Sequence, residues 1–171
     1  VHAGLTNDEL EGLGVTDRDA FTTAEALNRF LDQRVEQWSG DGPLDLAPLH
    51  EAGSAKTGEA KGILFHRPAN PAVKPVLRDE RRFDPRTLPR KICQAIGHIG
   101  DKKCRELLGP WAEPAPVTLG KLRGLRLDGD DVRYRLGCDE RDSLIFLDGA
   151  MNHVAPRDYE LFDLRLRQAM T

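Results

Sequence analysis

The sequence is poor in the residues that would place it in several common classes of chain. It has three cysteines, Cys93, Cys104 and Cys138, an odd number in a chain of 171 residues that can bury a core without covalent staples. No disulfide framework is expected, and the thiols are expected to be reduced. Aromatic residues make up only 6% of the chain, and Trp38, Phe83 and Trp111 are too dispersed to form a stacking platform for single-stranded nucleic acid. Trp111, between Pro110 and Pro114, is expected to plug the core under a loop. No apolar run approaches the roughly 18 residues that a membrane-spanning helix needs. The opening VHAGLTNDELEGLG has neither a basic cap nor an apolar secretory core, so a soluble, cytoplasmic protein without a membrane partner is expected.

Ligand motifs are scarce as well. The string GSAKTGE resembles a phosphate-binding loop only superficially, because Gly58 is followed by Glu59 and Ala60 where Lys and Ser or Thr are required. Cys93, His98 and Cys104 have a loosely metal-like spacing but no CxxC pair, which favours buried thiols. Asp128, Asp130 and Asp131 lack the distal Glu of a calcium loop and read as a hairpin turn. No metal and no cofactor are expected.

What the chain does have is a strong asymmetry of charge. Residues 1–60 carry 4 Lys and Arg against 12 Asp and Glu, residues 61–126 carry 15 against 6, and residues 127–171 carry 6 against 10. The basic middle asks for a polyanion, or for the chain's own acidic ends. Residues 1–50 read as an acidic helical extension. Its amphipathic helix over 23–38 carries Ala26, Leu27, Phe30, Leu31, Val35 and Trp38 at helical spacing. Residues 51–61, EAGSAKTGEAK, have the composition of a flexible linker, which leaves 62–171 as a second unit.

In that unit a short strand is expected at 62–66, a short helix near 72–81 and a longer helix over 87–108, with a break near 100 possible. The runs 122–127, 132–138 and 144–150 are strand-like, joined by turn-rich segments, and predict an antiparallel meander. Alternation puts Val132, Tyr134 and Leu136 on one face and Arg133 and Arg135 on the other. Pro156, Tyr159, Leu161, Phe162, Leu164, Leu166 and Met170 predict a closing amphipathic helix.

The stretch KLRGLRLDGDDVRYRLGCDERDSLIFLDGAMNHVAPRDYELFDLRLRQ resembles the carboxy-terminal half of the RelE/ParE superfamily of toxin proteins. The likeness covers residues 119–170, and residues 62–118 match only in element order. The resemblance implies an α+β fold of order β-α-α-β-β-β-α with a small antiparallel sheet. It also implies a metal-independent endoribonuclease that cuts ribosome-associated messenger RNA by attack of the 2′-hydroxyl on the adjacent phosphate. That chemistry needs a proton acceptor, a proton donor and positive charge around the phosphate. The resemblance offers His153, Tyr159 and Arg135 as catalytic residues, and Lys121, Arg123, Arg126, Arg133 and Arg157 as RNA-binding residues.

Each of these has a plainer reading. His153 could be a helix-entry residue, Tyr159 a core residue, and Arg133 and Arg135 a solvated sheet face. The loop 139–158 departs from the family in being acidic. The partners implied are RNA or the ribosome, a cognate antitoxin protein, and a second copy of the chain in a homodimer. The competing expectations are a non-catalytic, ParE-like binder of a protein target and a nucleic-acid- or protein-binding module. The acidic extension could regulate the basic surface by covering it.

Overall fold

The computed structural model describes residues 1–51, 53, 61–74 and 81–163. It is a mixed α+β fold with helices at the N-terminal end and a central four-stranded sheet. The first helix, α1 (Asn7–Gly12), was not expected. Thr6 caps it with its side chain, and Glu9 closes a capping box back onto the Thr6 amide. The second, α2 (Ala20–Gln37), starts three residues before the expected 23. Asp19 supplies the cap, accepting from the amides of Phe21 and Thr22 at 2.8 and 2.9 Å.

Four short strands follow. β1 (His50–Glu51) pairs antiparallel with β2 (Lys61–Gly62), and β3 (Arg67–Pro68) pairs parallel with β4 (Arg82–Phe83). The expected strand 62–66 is therefore only begun at Gly62, and residues 63–65 turn. The linker positions 52 and 54–60, and positions 75–80 of the expected short helix, lie outside the described residues.

The main sheet contains β5 (Gln94–Ile96), β6 (Arg123–Asp128), β7 (Asp131–Leu136) and β8 (Leu144–Phe146), in the spatial order β5-β8-β6-β7. Two expectations are corrected here. The single helix over 87–108 is replaced by a turn at 85–87, strand β5 and helix α3 (Asp101–Leu108). The three final strands are not a meander, because β8 crosses over to pair antiparallel with β6 and parallel with β5. The β6–β7 hairpin forms as expected, with Asp128 opposite Asp131 around the Gly129 turn. At the C-terminal end, Pro156–Asp158 is a single 3-10 turn and residues 159–163 are not helical. Positions 164–171 of the expected closing helix lie outside the described residues.

The core lies between α3 and the sheet, around Leu88, Ile96, Leu107, Leu125, Leu144 and Phe146. α3 is amphipathic and buries Cys104, Leu107 and Leu108, with each leucine worth about 1.5–3 kcal/mol of burial. Burial pushes the Cys104 thiol up to about 12, so it is a protonated, inert packing group.

Polar groups cross this core in one continuous network. Tyr134 on β7, with no exposed surface, donates its hydroxyl hydrogen to Asp101 Oδ1 at 2.7 Å and accepts from Arg123 at 3.0 Å. Asp101 Oδ2 takes the Thr118 amide at 2.8 Å, and Arg105 pairs with the same carboxylate at 2.9 Å. Although burial opposes its charge, the hydrogen bonds from Tyr134, Thr118 and Arg105 hold the Asp101 carboxyl below its ordinary range.

The N-terminal residues run along the free side of β5. Gly97 donates to the His2 carbonyl, and the Gln94 side-chain amide engages both the N–H and the C=O of Leu5, at 2.8 and 2.7 Å. Ala3 donates to the Ile63 carbonyl, and Leu5, Leu10, Val15 and Ile92 form a second apolar cluster under α2. Buried His66 donates from Nε2 to the Gly4 carbonyl at 2.7 Å, and its Nδ1 faces Glu9 at 3.6 Å. Desolvation holds the imidazole below its ordinary 6.5. The N-terminal block is thus packed on the rest of the chain.

Three outcomes are expected. In urea titrations, Tyr134→Phe costs about 1–3 kcal/mol through the unpaired groups it leaves. Asp101→Ala costs about 3–5 kcal/mol because the Tyr134 hydroxyl, the Thr118 amide and the partly buried Arg105 guanidinium lose their common acceptor; an Asp101→Ala protein as stable as the parent would refute this account. His66 binds its proton more readily unfolded than folded, so its contribution is complete above pH 6.5 and is lost as the pH falls below it. The parent should therefore lose more stability between pH 7.5 and 5.5 than His66→Gln, and equal losses would rule His66 out.

Candidate functional site

The expected phosphate-facing arginines fall into three environments. Arg123 is 1% exposed, and its guanidinium serves the core network, donating to Tyr134 and to the carbonyls of Ile99 and Asp148. The expectation of a surface Arg123 is corrected: position 123 on β6 points inward, as does its neighbour on the alternate strand, Phe146. Arg126 and Arg135 do reach the other face, but they are neutralised there. Arg126 pairs with Asp139 and lies 3.6 Å from Asp142, while Arg135 bonds Asp139 at 2.8 Å and Asp142 at 3.0 Å.

The turn at 139–142 holds this pair of carboxylates in place. The Asp142 side chain is fully buried and accepts the Asp139 amide at 2.7 Å. It sits over Gly124, where any Cβ would overlap its carboxylate. Burial opposes charge on Asp139, but bonds from the Arg141 amide and from Arg126 hold its carboxyl below the ordinary range. Arg126 and Arg135 thus face two carboxylates, with the exposed Arg141 a third guanidinium at 3.8 Å from Asp139.

Arg133 is exposed, directly across the hairpin from Arg126. It lines an open polar hollow of about 360 Å³ together with Trp111, Glu113 and Asp131. Trp111 itself is only partly buried and packs against the main core, with the Arg86 guanidinium 5.4 Å from its ring centre.

The expected acid and base sit in different environments. His153 ends a 3-10 turn, is exposed, and has Nε2 3.3 Å from the Asn152 amide. Tyr159 is half-buried, and its hydroxyl donates to the Leu147 carbonyl at 2.8 Å and receives the Gly149 amide at 3.4 Å. Its ring lies against Gly149, where a Cβ would come within 2.9 Å of it. That phenol clasps the turn after β8. Arg157 is 88% exposed, with Asp158 at 3.9 Å, and Lys121 pairs with Glu160 at 3.0 Å. Among the described residues no cluster of three or more His, Cys, Asp or Glu side chains is arranged to hold a metal ion.

A different surface stands out on α2. Phe21, Leu31, Val35 and Trp38 are 72%, 45%, 50% and 44% exposed. With Ala24 and Asn28 they recur at alternate spacings of three and four residues, the a and d pattern of a coiled-coil seam. The adjoining side of the helix, with Leu27, Phe30 and Leu31, faces Leu46, Leu49 and Ile63 across an apolar hollow of about 240 Å³. α2 is thus apolar over a wider arc than the fold covers. The helical stripe was legible in the sequence, but which part would remain uncovered depended on contacts that periodicity does not specify.

No family model, curated protein or solved structure matches this chain. No described helix is long and apolar enough to cross a membrane.

If the 139–142 carboxylates mask the arginines, Asp139→Asn should uncover positive charge. The variant is expected to elute from heparin at higher salt than the parent, with a steeper salt dependence of RNA binding. Unchanged elution would show that the carboxylates do not screen Arg126 and Arg135.

Proposed function

We propose that this chain is a protein-binding module whose docking element is the uncovered apolar face of α2. The carrying observation is the exposure of four large apolar side chains along one seam of a single helix and its C-cap residue Trp38, continuous with an apolar hollow. Soluble chains seldom leave so contiguous an apolar surface open unless a partner covers it. An amphipathic helix laid against such a groove is a recurrent mode of recognition, and an aromatic such as Trp38 is a suitable anchor.

The ribonuclease reading attached to the RelE/ParE resemblance is the second. It is favoured by one observation, the exposed Arg133 beside Trp111 in a polar hollow, which offers a cation and a ring to a nucleotide. The reading would rest on Arg133, Arg157 and His153, with Arg126 and Arg135 released from their aspartates. RNA binding by the parent protein, compared with Asp139→Asn, bears on it directly.

The docking reading separates surface kept for binding from surface needed for folding. Phe21→Ser and Val35→Ser are expected to stay within about 0.5 kcal/mol of the parent in urea titrations, because neither side chain is buried. A photo-crosslinking phenylalanine at position 31 or 35, in the protein expressed in its native host, should give a protein adduct of discrete mass. The same group at Gln33, on the polar face, should give none. Adducts indifferent to position, or none at 31 and 35, would overturn the reading.

A further inference from the structure

The chemistry of the partner is written on the flanks of the α2 seam, and this step rests on the docking reading above. With Phe21, Asn28 and Val35 at a and Ala24, Leu31 and Trp38 at d, the e positions are Glu25 and Asp32. Both are exposed, as is Glu36 on the same side. Arg29 is the basic residue among them. The g positions include Leu27 and Arg34, and this flank opens on the apolar hollow. Arg34 is already engaged, donating to the Ala47 carbonyl at 2.7 Å and lying 3.9 Å from Asp45. From 17 to 45 the chain carries seven acidic residues against three basic ones.

A second copy of the chain fits this surface badly in either direction. Antiparallel pairing sets e against e, which brings Glu25 and Asp32 against the Asp32 and Glu25 of the other copy. Parallel pairing sets e against g, which pushes those carboxylates toward the hollow lined by Leu46, Leu49 and Ile63. The better occupant is asymmetric, with one cationic flank for the acidic side of the seam and one apolar flank for the hollow.

We infer that the α2 seam binds a basic amphipathic helix. Its apolar residues interlock with Phe21, Leu31, Val35 and Trp38, and its lysines or arginines oppose Glu25 and Asp32. The seam runs from Phe21 to the C-cap residue Trp38 along a helix of 18 residues, about 27 Å, which calls for a partner of two to three heptads. Asn28, the polar member of the seam, sets the register by disfavouring an apolar residue opposite it.

The experiment uses the full chain and synthetic three-heptad peptides with leucine at a and d except for asparagine at the central a, alanine on one flank and lysine on the other, made with lysine at e or at g. Calorimetry at low salt is expected to show a lysine peptide binding at least tenfold more tightly than its glutamate counterpart. The gap should narrow at high salt, and Glu25→Lys with Asp32→Lys should reverse the preference without altering the far-ultraviolet circular dichroism. Equal binding of the two peptide types would overturn the basic partner while leaving α2 a docking face. Binding by neither type, together with position-specific crosslinks at 31 and 35, would do the same. Sedimentation showing a dimer of the chain that Val35→Glu dissociates would replace the inferred partner with a second copy.

Discussion

The Asp101 carboxylate and the side chains that converge on it are the constraint on which the rest of the fold depends. Asp101 opens α3 and is bonded by Arg105 one turn on, by Tyr134 from the edge strand β7 and by Thr118 from the segment leading into β6, while Arg123 on β6 joins through the Tyr134 hydroxyl. Arg123 then carries the connection on to the carbonyls of Ile99 and Asp148, just beyond the C-terminal ends of the parallel strands β5 and β8. Apolar packing alone would let α3 slide over the sheet at little cost, whereas directional bonds in a region of low dielectric hold one arrangement. Charge in that region is tolerated only while each group keeps its partners, so the network specifies the fold more than it adds to its stability.

That same constraint decides which arginines can meet a ligand. Along β6 the side chains alternate, so fixing Arg123 inward fixes Arg126 outward. The hairpin then sets Arg126 opposite Arg133, a like-charge pair that disfavours itself unless carboxylates intervene. The 139–142 turn supplies them, with Asp142 seated against Gly124. The result is a sheet face on which Arg126 and Arg135 are paired with carboxylates while Arg133 stays exposed. A polyanion approaching it would have to displace two bonds from Arg135 to carboxylates, one of them fully buried.

Local pattern and the structure agree wherever the determining contacts lie close in the chain. The alternation of Val132, Arg133, Tyr134 and Arg135 and the Asp-Gly turn made the β6–β7 hairpin legible. The stripe on α2 was equally clear, while Thr6 and Glu9 carried a capping-box signal for α1 that went unread. Disagreement begins where distant contacts choose between two local options. Ile92, Ile96 and Ile99 satisfy a helical period, yet Gln94–Ile96 is a strand because β8 offers it a parallel edge and Leu5 takes the Gln94 amide. β8 is buried at all three residues, so its sequence has no alternation to indicate whether β6 or β7 lies beside it. Alternation placed Arg133 and Arg135 on the face opposite Val132 and Tyr134, whereas the burial of Arg123 required a phenol and two carbonyls from elsewhere in the chain. The acidic loop that neutralises Arg126 and Arg135 was visible as composition, but its geometry was not.

The division of charge along the chain takes on a different meaning in this fold. The N-terminal block is joined to the body by backbone bonds along β5, by the Gln94 amide and by an apolar cluster, with His66 facing Glu9 as a buried polar contact. This attachment uses the inner side of the block and leaves the acidic flank of α2 turned outward. A helix recruited only to cover the second apolar cluster would need Ala26, Leu27 and the residues beneath them, with polar side chains elsewhere. Phe21, Leu31, Val35 and Trp38 exceed that need, and so do the carboxylates placed beside them. Surplus apolar surface with one sign of charge along its border is how a helix selects one partner and rejects its own kind, since the seam supplies contact area and the border supplies discrimination.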